Sequence, residues 1–137
     1  MTVRLRAHHL LCILTFAGEG YSPEFVANLA GIVARIGAGE AIELIDGPDD
    51  VCAPLDRTGD AHCHEPSVRR RDREALRQLS TAEPPLATAR PLVLDRAAIA
   101  TLRVQFAAGT IRGACAGCSW FGLCTGIASA GYAVAAL

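Results

Sequence analysis

Apolar residues recur at helical spacing between residues 25 and 36, and this is the clearest pattern in the chain. The inward positions are Phe25, Leu29, Ile32, Val33 and Ile36. Ser22 and Pro23 suit a helix start, because a serine oxygen caps backbone amides and proline fits the first helical position. Gly37 can end the run in a left-handed cap. The pattern therefore predicts a helix that begins after Ser22 and ends at Gly37.

Three other segments are predicted to be helical. The segment from His8 to Phe16 is apolar on nearly every side, which favours a short buried helix ending before the Gly18-Glu19-Gly20 turn. Further helices are predicted to start at Ser67 and at Asp95. The residues expected to face inward in the helix from Ser67 are Val68, Ala75, Leu76 and Leu79. In the helix from Asp95 they are Ile99, Leu102 and Phe106.

Residues 41–45 alternate between apolar and polar side chains, which predicts a short strand closed by Asp46-Gly47-Pro48. Residues 92–94 offer this strand a partner. The stretch from Asp49 to Pro66 is expected to be a loop. The predicted fold class is α+β and mainly helical, with about four helices, a short strand or small sheet, and a Cys-rich C-terminal loop.

Size and charge limit the classes of function. The chain has 137 residues, 51% of them hydrophobic, which suits a single domain over residues 1–137. Its net charge of -1 argues against a general nucleic-acid or membrane-surface binder. The arginines of residues 69–73 alternate with Asp72 and Glu74, as expected of a solvated helix face. A redox or protein partner is expected, of unknown identity.

The N-terminal residues resemble a signal peptide only superficially. Arg4 and Arg6 precede an apolar run, but two histidines interrupt it and no small-residue cleavage pattern follows. No stretch reaches the roughly 18 uninterrupted apolar residues that span a bilayer. A cytoplasmic, reducing location is therefore expected, where six cysteines indicate metal binding or chemistry rather than a disulfide framework.

Three of these cysteines, Cys115, Cys118 and Cys124, lie within ten residues of one another. A CxxC turn lets two thiolates face one metal ion or two irons of one cluster. No charged residue occurs between Gly113 and Leu137, and aromatic residues interrupt the motif, so a dry site is expected. A metal offsets thiolate charge that would otherwise be costly there. The alternative is that these are buried neutral thiols that pack as small hydrophobes.

Three cysteines do not complete a tetrahedral site or a four-iron cluster, so a remote ligand is required. The candidates are Cys52, Cys63 and Cys12. Cys52 and Cys63 are jointly favoured because they lie in a polar loop whose backbone is free to approach another loop. Cys12 lies in an apolar helix, where a role in the core is at least as plausible as ligation.

The motif spacing leaves the metal undecided between iron and zinc. Neither common ferredoxin spacing is matched, and the paired CxxC of zinc ribbons is absent, although His62 and His64 could supply nitrogen. An enzyme is a third hypothesis. Cys12 would be its nucleophile and His8 or His9 its base, oriented by Asp49 or Asp50.

The chain also resembles the bacterial and archaeal family called domain of unknown function 1284. The resemblance rests on the opening Arg6-Ala7-His8-His9-Leu10-Leu11-Cys12, on Gly20-Tyr21-Ser22, and on Pro48-Asp49-Asp50-Val51-Cys52. It continues through Cys63 and Asp72 to the C-terminal cysteine motif with Trp120. The resemblance implies an iron–sulfur protein with no established reaction or substrate.

One departure from the family pattern concerns the middle cysteines. Many relatives carry a CxxCP turn where this chain has Cys52-Ala53-Pro54-Leu55, so Leu55 removes a candidate ligand. A single iron–sulfur cluster, 4Fe-4S in the favoured form, is therefore expected on the following ligands: Cys115, Cys118 and Cys124, with Cys63 or Cys52. A role in electron transfer, sensing or assembly is left open. The runner-up is a structural zinc module that binds a partner.

Overall fold

The structure is a computed structural model that describes residues 2–18, 22–45, 49–52, 66–81, 92–116, 118 and 120–137. Within these residues the elements in chain order are two strands, five α-helices and a 3₁₀ turn. They are β1 (Thr2–Leu5), α1 (Ala7–Thr15), α2 (Pro23–Gly37), β2 (Ala41–Leu44), α3 (Pro66–Thr81), α4 (Arg96–Ala108), the 3₁₀ turn Gly113–Cys115 and α5 (Phe121–Ser129). The mainly helical α+β prediction is confirmed.

The sheet consists of β1 and β2, which pair in parallel with Val3 opposite Ile42. The strand predicted over residues 41–45 is β2, and Leu92 forms an antiparallel bridge to Ile42, as its sequence suggested. β1 was not expected, because its residues were considered only as the approach to the apolar run that follows them. Val3 and Leu5 face the core, and β1 leads directly into α1.

Helix α2 begins as predicted, because the hydroxyl of Ser22 accepts a hydrogen bond from the Phe25 amide at 3.1 Å. All five residues expected on its inner face are buried. The predicted left-handed cap at Gly37 is wrong. The cap residue is Ala38, in right-handed conformation, and the left-handed position falls at Gly39, with φ of 96°.

Helix α3 buries two of the four residues that were predicted on its inner face. Ala75 and Leu79 are fully buried, but Leu76 is 41% exposed. The charged run was expected to be solvated, yet Asp72 is only 7% exposed. Asp72 and Leu79 lie seven residues apart on one face, so a carboxylate occupies a position that the apolar pattern would give to a hydrophobe.

The C-terminal cysteine segment is more ordered than the predicted loop. Cys124 lies in α5, which packs against α1 and α4. Trp120 and Phe121 open this helix in the middle of the motif, and Ile127 is its buried residue. The helices and the sheet share one buried apolar cluster. None of the described helices combines the length and the apolar character needed to cross a bilayer.

Candidate metal centre

Four cysteines from three separate elements line one cavity. Cys12 lies on α1, Cys115 ends the 3₁₀ turn, Cys118 follows it, and Cys124 lies on α5. The cavity has a volume of about 130 Å³. This is close to the ~150 Å³ of an engineered cavity that takes up benzene, so it has room for a group of several atoms.

Cys12 opens onto this cavity but is surrounded by protein on its other sides. Its side chain is solvent-accessible, as expected of a residue that lines an open pocket. Burial nevertheless raises the pKa of its thiol well above the usual 9.0, and the neighbouring Cys118, Cys115 and Cys124 raise it further. The three neighbouring thiols are therefore close enough to disfavour the ionisation of Cys12, and a bound metal would relieve that repulsion.

The spacing of these thiols distinguishes between kinds of centre. Across the part of the chain that the structure describes, the group of metal-ligand atoms within 4.8 Å of one another is His9, Asp49 and Cys52. No three of the cavity's sulfurs meet that limit. Four thiolates on one zinc ion lie about 3.8 Å apart, given a Zn–S bond of about 2.3 Å. The thiols are thus spread more widely than a preformed zinc site requires.

Polar groups also reach the sulfurs. The hydroxyl of Thr15, which is 3% exposed, donates to Cys124 Sγ at 3.1 Å. Burial raises the pKa of Cys115, and the guanidinium of Arg112 beside it opposes this rise. Arg112 stacks over the Phe106 ring at 4.3 Å and the Phe121 ring at 4.2 Å. The segment from Gly113 to Leu137 has no charged residue, but the guanidinium of Arg112, which precedes it, lies beside Cys115.

The other polar residues of the lining are basic. His8, His9 and Arg71 line the cavity with Arg112, and no carboxylate is among the described residues that line it. The environment of the thiols therefore favours a negatively charged occupant.

Two buried carboxylates lie behind the histidines. Asp49 Oδ2 accepts hydrogen bonds from His9 Nδ1 and the Arg6 amide, both at 2.7 Å. Its Oδ1 accepts from the amides of Val51 and Cys52. Burial by itself raises the pKa of Asp49, but the interaction with His9 and these hydrogen bonds outweigh it, and the net pKa lies below 3.8. Asp49 is therefore ionised at neutral pH.

Asp72 has the equivalent position behind His8. Its Oδ1 accepts from His8 Nδ1 at 2.6 Å, and its Oδ2 accepts from Arg6 Nε at 2.6 Å. Burial raises its pKa, but His8 and then Arg6 outweigh that effect and lower the net pKa below 3.8. The fully buried Arg6 thus has its charge balanced by Asp72.

His9, Asp49 and Cys52 form a group that could hold a metal ion. In the present arrangement the short contact between His9 Nδ1 and Asp49 Oδ2 is a hydrogen bond, and the Cys52 thiol also contributes to lowering the pKa of Asp49. An ion bound to both His9 Nδ1 and Asp49 would have to displace the proton between them.

Comparison with protein families matches residues 20–124 to the family described as protein of unknown function (DUF1284). The match covers about three quarters of the chain. The chain belongs to this family. No curated protein and no solved structure matches it. The matched DUF1284 residues include the middle and C-terminal cysteines, whereas the opening segment with Cys12 lies before them.

The structure brings together some of the cysteines singled out from the sequence. Cys115, Cys118 and Cys124 share a cavity, and Cys12 joins them. Cys52 is 3% exposed, lies beside Asp49 and is not among the residues that line the cavity. Cys63, His62 and His64 lie outside the described residues, so their ligand roles in this DUF1284 member remain predictions.

Sequence reasoning gave Asp72, Arg6 and Arg112 no role around the cavity. Asp72 was assigned to a solvated face because its neighbours are charged, and its place in the family pattern was the signal that could have indicated otherwise. Arg6 is 66 residues from its partner. No local pattern encodes a pair so far apart.

Proposed function

We propose that this DUF1284 protein is a small iron–sulfur protein whose cluster, of the 4Fe-4S type, is held by Cys12, Cys115, Cys118 and Cys124. The observation that carries the proposal is the fourth thiol. Cys12 lines the same cavity as the C-terminal three, and four cysteines are the number of ligands that such a cluster takes. Neither Cys52 nor Cys63 is then needed as a ligand.

The size of the cavity and the spacing of the sulfurs favour a multi-iron cluster over a single ion. A zinc ion bound by four thiolates is closed to further ligands and would leave most of a cavity of about 130 Å³ unused. A cluster places several iron and sulfide atoms between its ligands and so needs sulfurs that are farther apart.

The surrounding charges are also those that such a centre needs. Iron–sulfur clusters ligated by four thiolates carry net negative charge, which Arg112 and Arg71 would offset from the cavity wall. The hydroxyl of Thr15 would stabilise a ligand sulfur through its hydrogen bond. With all four positions filled by cysteine, a role in electron transfer or sensing fits better than direct binding of a substrate to iron.

The test is purification without oxygen, followed by iron and sulfide analysis of the wild type and three single variants. The wild type should be brown and contain iron and labile sulfide in about a 1:1 ratio. Cys12→Ser should lose most of the iron. Cys52→Ser is the matched control, because its cysteine is buried outside the cavity, and it should keep the metal, as should Cys63→Ser.

A colourless wild-type preparation without iron would contradict the proposal. If Cys63→Ser loses iron and Cys12→Ser keeps it, the fourth ligand is Cys63, as the sequence first suggested. One zinc per chain with no iron would instead support the runner-up, a structural zinc module. The group of His9, Asp49 and Cys52 gives that alternative its support.

A further inference from the structure

Two adjacent histidines on the first turn of α1, His8 and His9, face the same cavity as the thiols. Their ring centroids are 4.3 Å apart and the rings are tilted by 56°. The side chains are 14% and 15% exposed, and both line the cavity. The proposed cluster uses neither ring, so their function needs a separate explanation.

Each ring is held by its own buried carboxylate through the same nitrogen. His8 Nδ1 is 2.6 Å from Asp72 and His9 Nδ1 is 2.7 Å from Asp49. An ionised carboxylate can only accept, so Nδ1 of each ring carries the shared proton. In the neutral imidazole, Nε2 is then the atom with the free lone pair.

These Nε2 atoms are not engaged elsewhere in the described part of the molecule. No hydrogen bond to either of them occurs there, although Nδ1 of both rings is bonded. Histidines whose task is to satisfy buried carboxylates need no access to a cavity. The arrangement matches that of metal-binding histidines, which donate their second ring nitrogen to a carboxylate that fixes the tautomer and the ring orientation.

We propose that His8 and His9 bind a divalent transition-metal ion through their Nε2 atoms, at a site beside the thiols and distinct from them. Asp72 and Asp49 are positioning residues, which hold the rings and increase the basicity of the ligand nitrogens. Two protein ligands leave other coordination positions open to water or to a small molecule that enters the cavity. Imidazole ligands suit zinc, iron, copper and nickel rather than magnesium or calcium.

The electrostatics of His8 agree with this assignment. Burial lowers the pKa of His8 below its usual 6.5 and outweighs the opposing interaction with Asp72. Burial therefore favours the neutral form of the ring, which is the form that binds metal.

The experiment is a Zn²⁺ titration of the full chain, purified without oxygen. Calorimetry measures the binding, and nitrogen NMR of the imidazoles shows which nitrogens bind the metal. One Zn²⁺ per chain should bind in addition to any iron that the preparation contains. The Nε2 signals of two histidines should move while their Nδ1 atoms keep their protons. His8→Gln and His9→Gln should each abolish this binding, whereas His62→Gln and His64→Gln, the chain's other two histidines, should leave it unchanged.

The positioning role of Asp72 is tested by a separate substitution. Asp72→Asn should weaken Zn²⁺ binding by about 10- to 100-fold and change the Nδ1–H signal of His8. Glu74→Gln, on the same helix and paired with Arg77, should do neither. If the wild type binds no added Zn²⁺, or if no imidazole signal moves on binding, the proposal is wrong, and this conclusion does not depend on the folding of any variant.

Iron analysis of the same samples separates this inference from the proposed cluster. Binding that depends on the histidines in an iron-free protein would support the imidazole site and contradict the cluster. Binding that survives both His→Gln substitutions and disappears in Cys115→Ser would assign the zinc to the thiols and overturn the imidazole site.

Discussion

One hydrogen bond reaches a sulfur of the cavity from a distant part of the sequence. Thr15 and Cys124 are 109 residues apart, yet the hydroxyl of Thr15 lies 3.1 Å from the sulfur. Hydrogen bonds to ligand sulfurs stabilise the reduced, more negative state of a cluster and so raise its reduction potential. In the proposed cluster, a residue that provides no ligand would thus contribute to the reduction potential.

Thr15→Val should make the reduction potential of the proposed cluster more negative. Only the difference in strength of this hydrogen bond between the two redox states moves the potential, so a bond worth about 1 kcal/mol limits the shift to roughly 40 mV in a one-electron couple. Valine has the shape of threonine without the hydroxyl, and the side chain lies in a buried position. Redox titration followed by absorbance measures the shift.

Thr15→Ser is the matched control, because it keeps the donor and removes only a methyl group. Its potential should stay near that of the wild type. Equal shifts in both variants would show that packing around residue 15, rather than the hydrogen bond, sets the potential.

Among the elements, α3 differs most from what its sequence suggests. Its apolar residues are few, and the pattern alone does not decide between Leu76 and Leu79 as the buried leucine. The ion pair between Asp72 and Arg6 and the contacts with α1 favour the face that carries Leu79. The helix is therefore oriented by polar as well as apolar contacts.

The two leucines of α3 provide a matched test of that orientation. Leu79→Ala should lower the free energy of unfolding by about 2–5 kcal/mol, because it leaves a cavity at a fully buried position. Leu76→Ala should lower it by less than about 1 kcal/mol, since 41% of that side chain is already exposed. Urea unfolding of both variants measures the difference, and equal losses would mean that α3 is rotated relative to the structure described.

For the molecule as a whole, the metal would connect elements that lie far apart along the chain. Cys12 follows β1 near one end, whereas Cys124 lies on α5 near the other. The exposed Phe121 and Leu123 and the single buried residue of α5, Ile127, indicate that this helix has little apolar packing of its own. Ligation would therefore contribute a large part of the stability of α5.

Removal of the metal by a chelator should reduce the amide-exchange protection of α5 and leave that of α2 nearly unchanged. Helix α2 carries five buried apolar residues and no cysteine, so it serves as the internal control. Hydrogen exchange followed by mass spectrometry makes the comparison. Unchanged protection of α5 would show that packing alone holds it.

The sequence by itself determined much of this protein. Three of its patterns involve residues that are close together in the sequence: the helical spacing of apolar residues from Phe25 to Ile36, the Ser22 cap and the alternation over residues 41–45. Such local patterns specify local structure. The three C-terminal cysteines could be identified as one group for the same reason, because ten residues of chain hold them together.

Only the tertiary structure decided which other residues lie near the three C-terminal cysteines. Cys12 looked like a core residue because its helix is apolar on nearly every side, and Asp72 looked solvated because its neighbours are charged. Both judgements depend on which face of a helix meets which neighbour. That choice is made by the packing of the whole chain, in which α1 brings Cys12 to the cavity and its histidines to two distant carboxylates. Contacts across 40 to 110 residues leave no periodic trace in the sequence, so the fourth thiol and the fixed imidazoles emerged only with the fold.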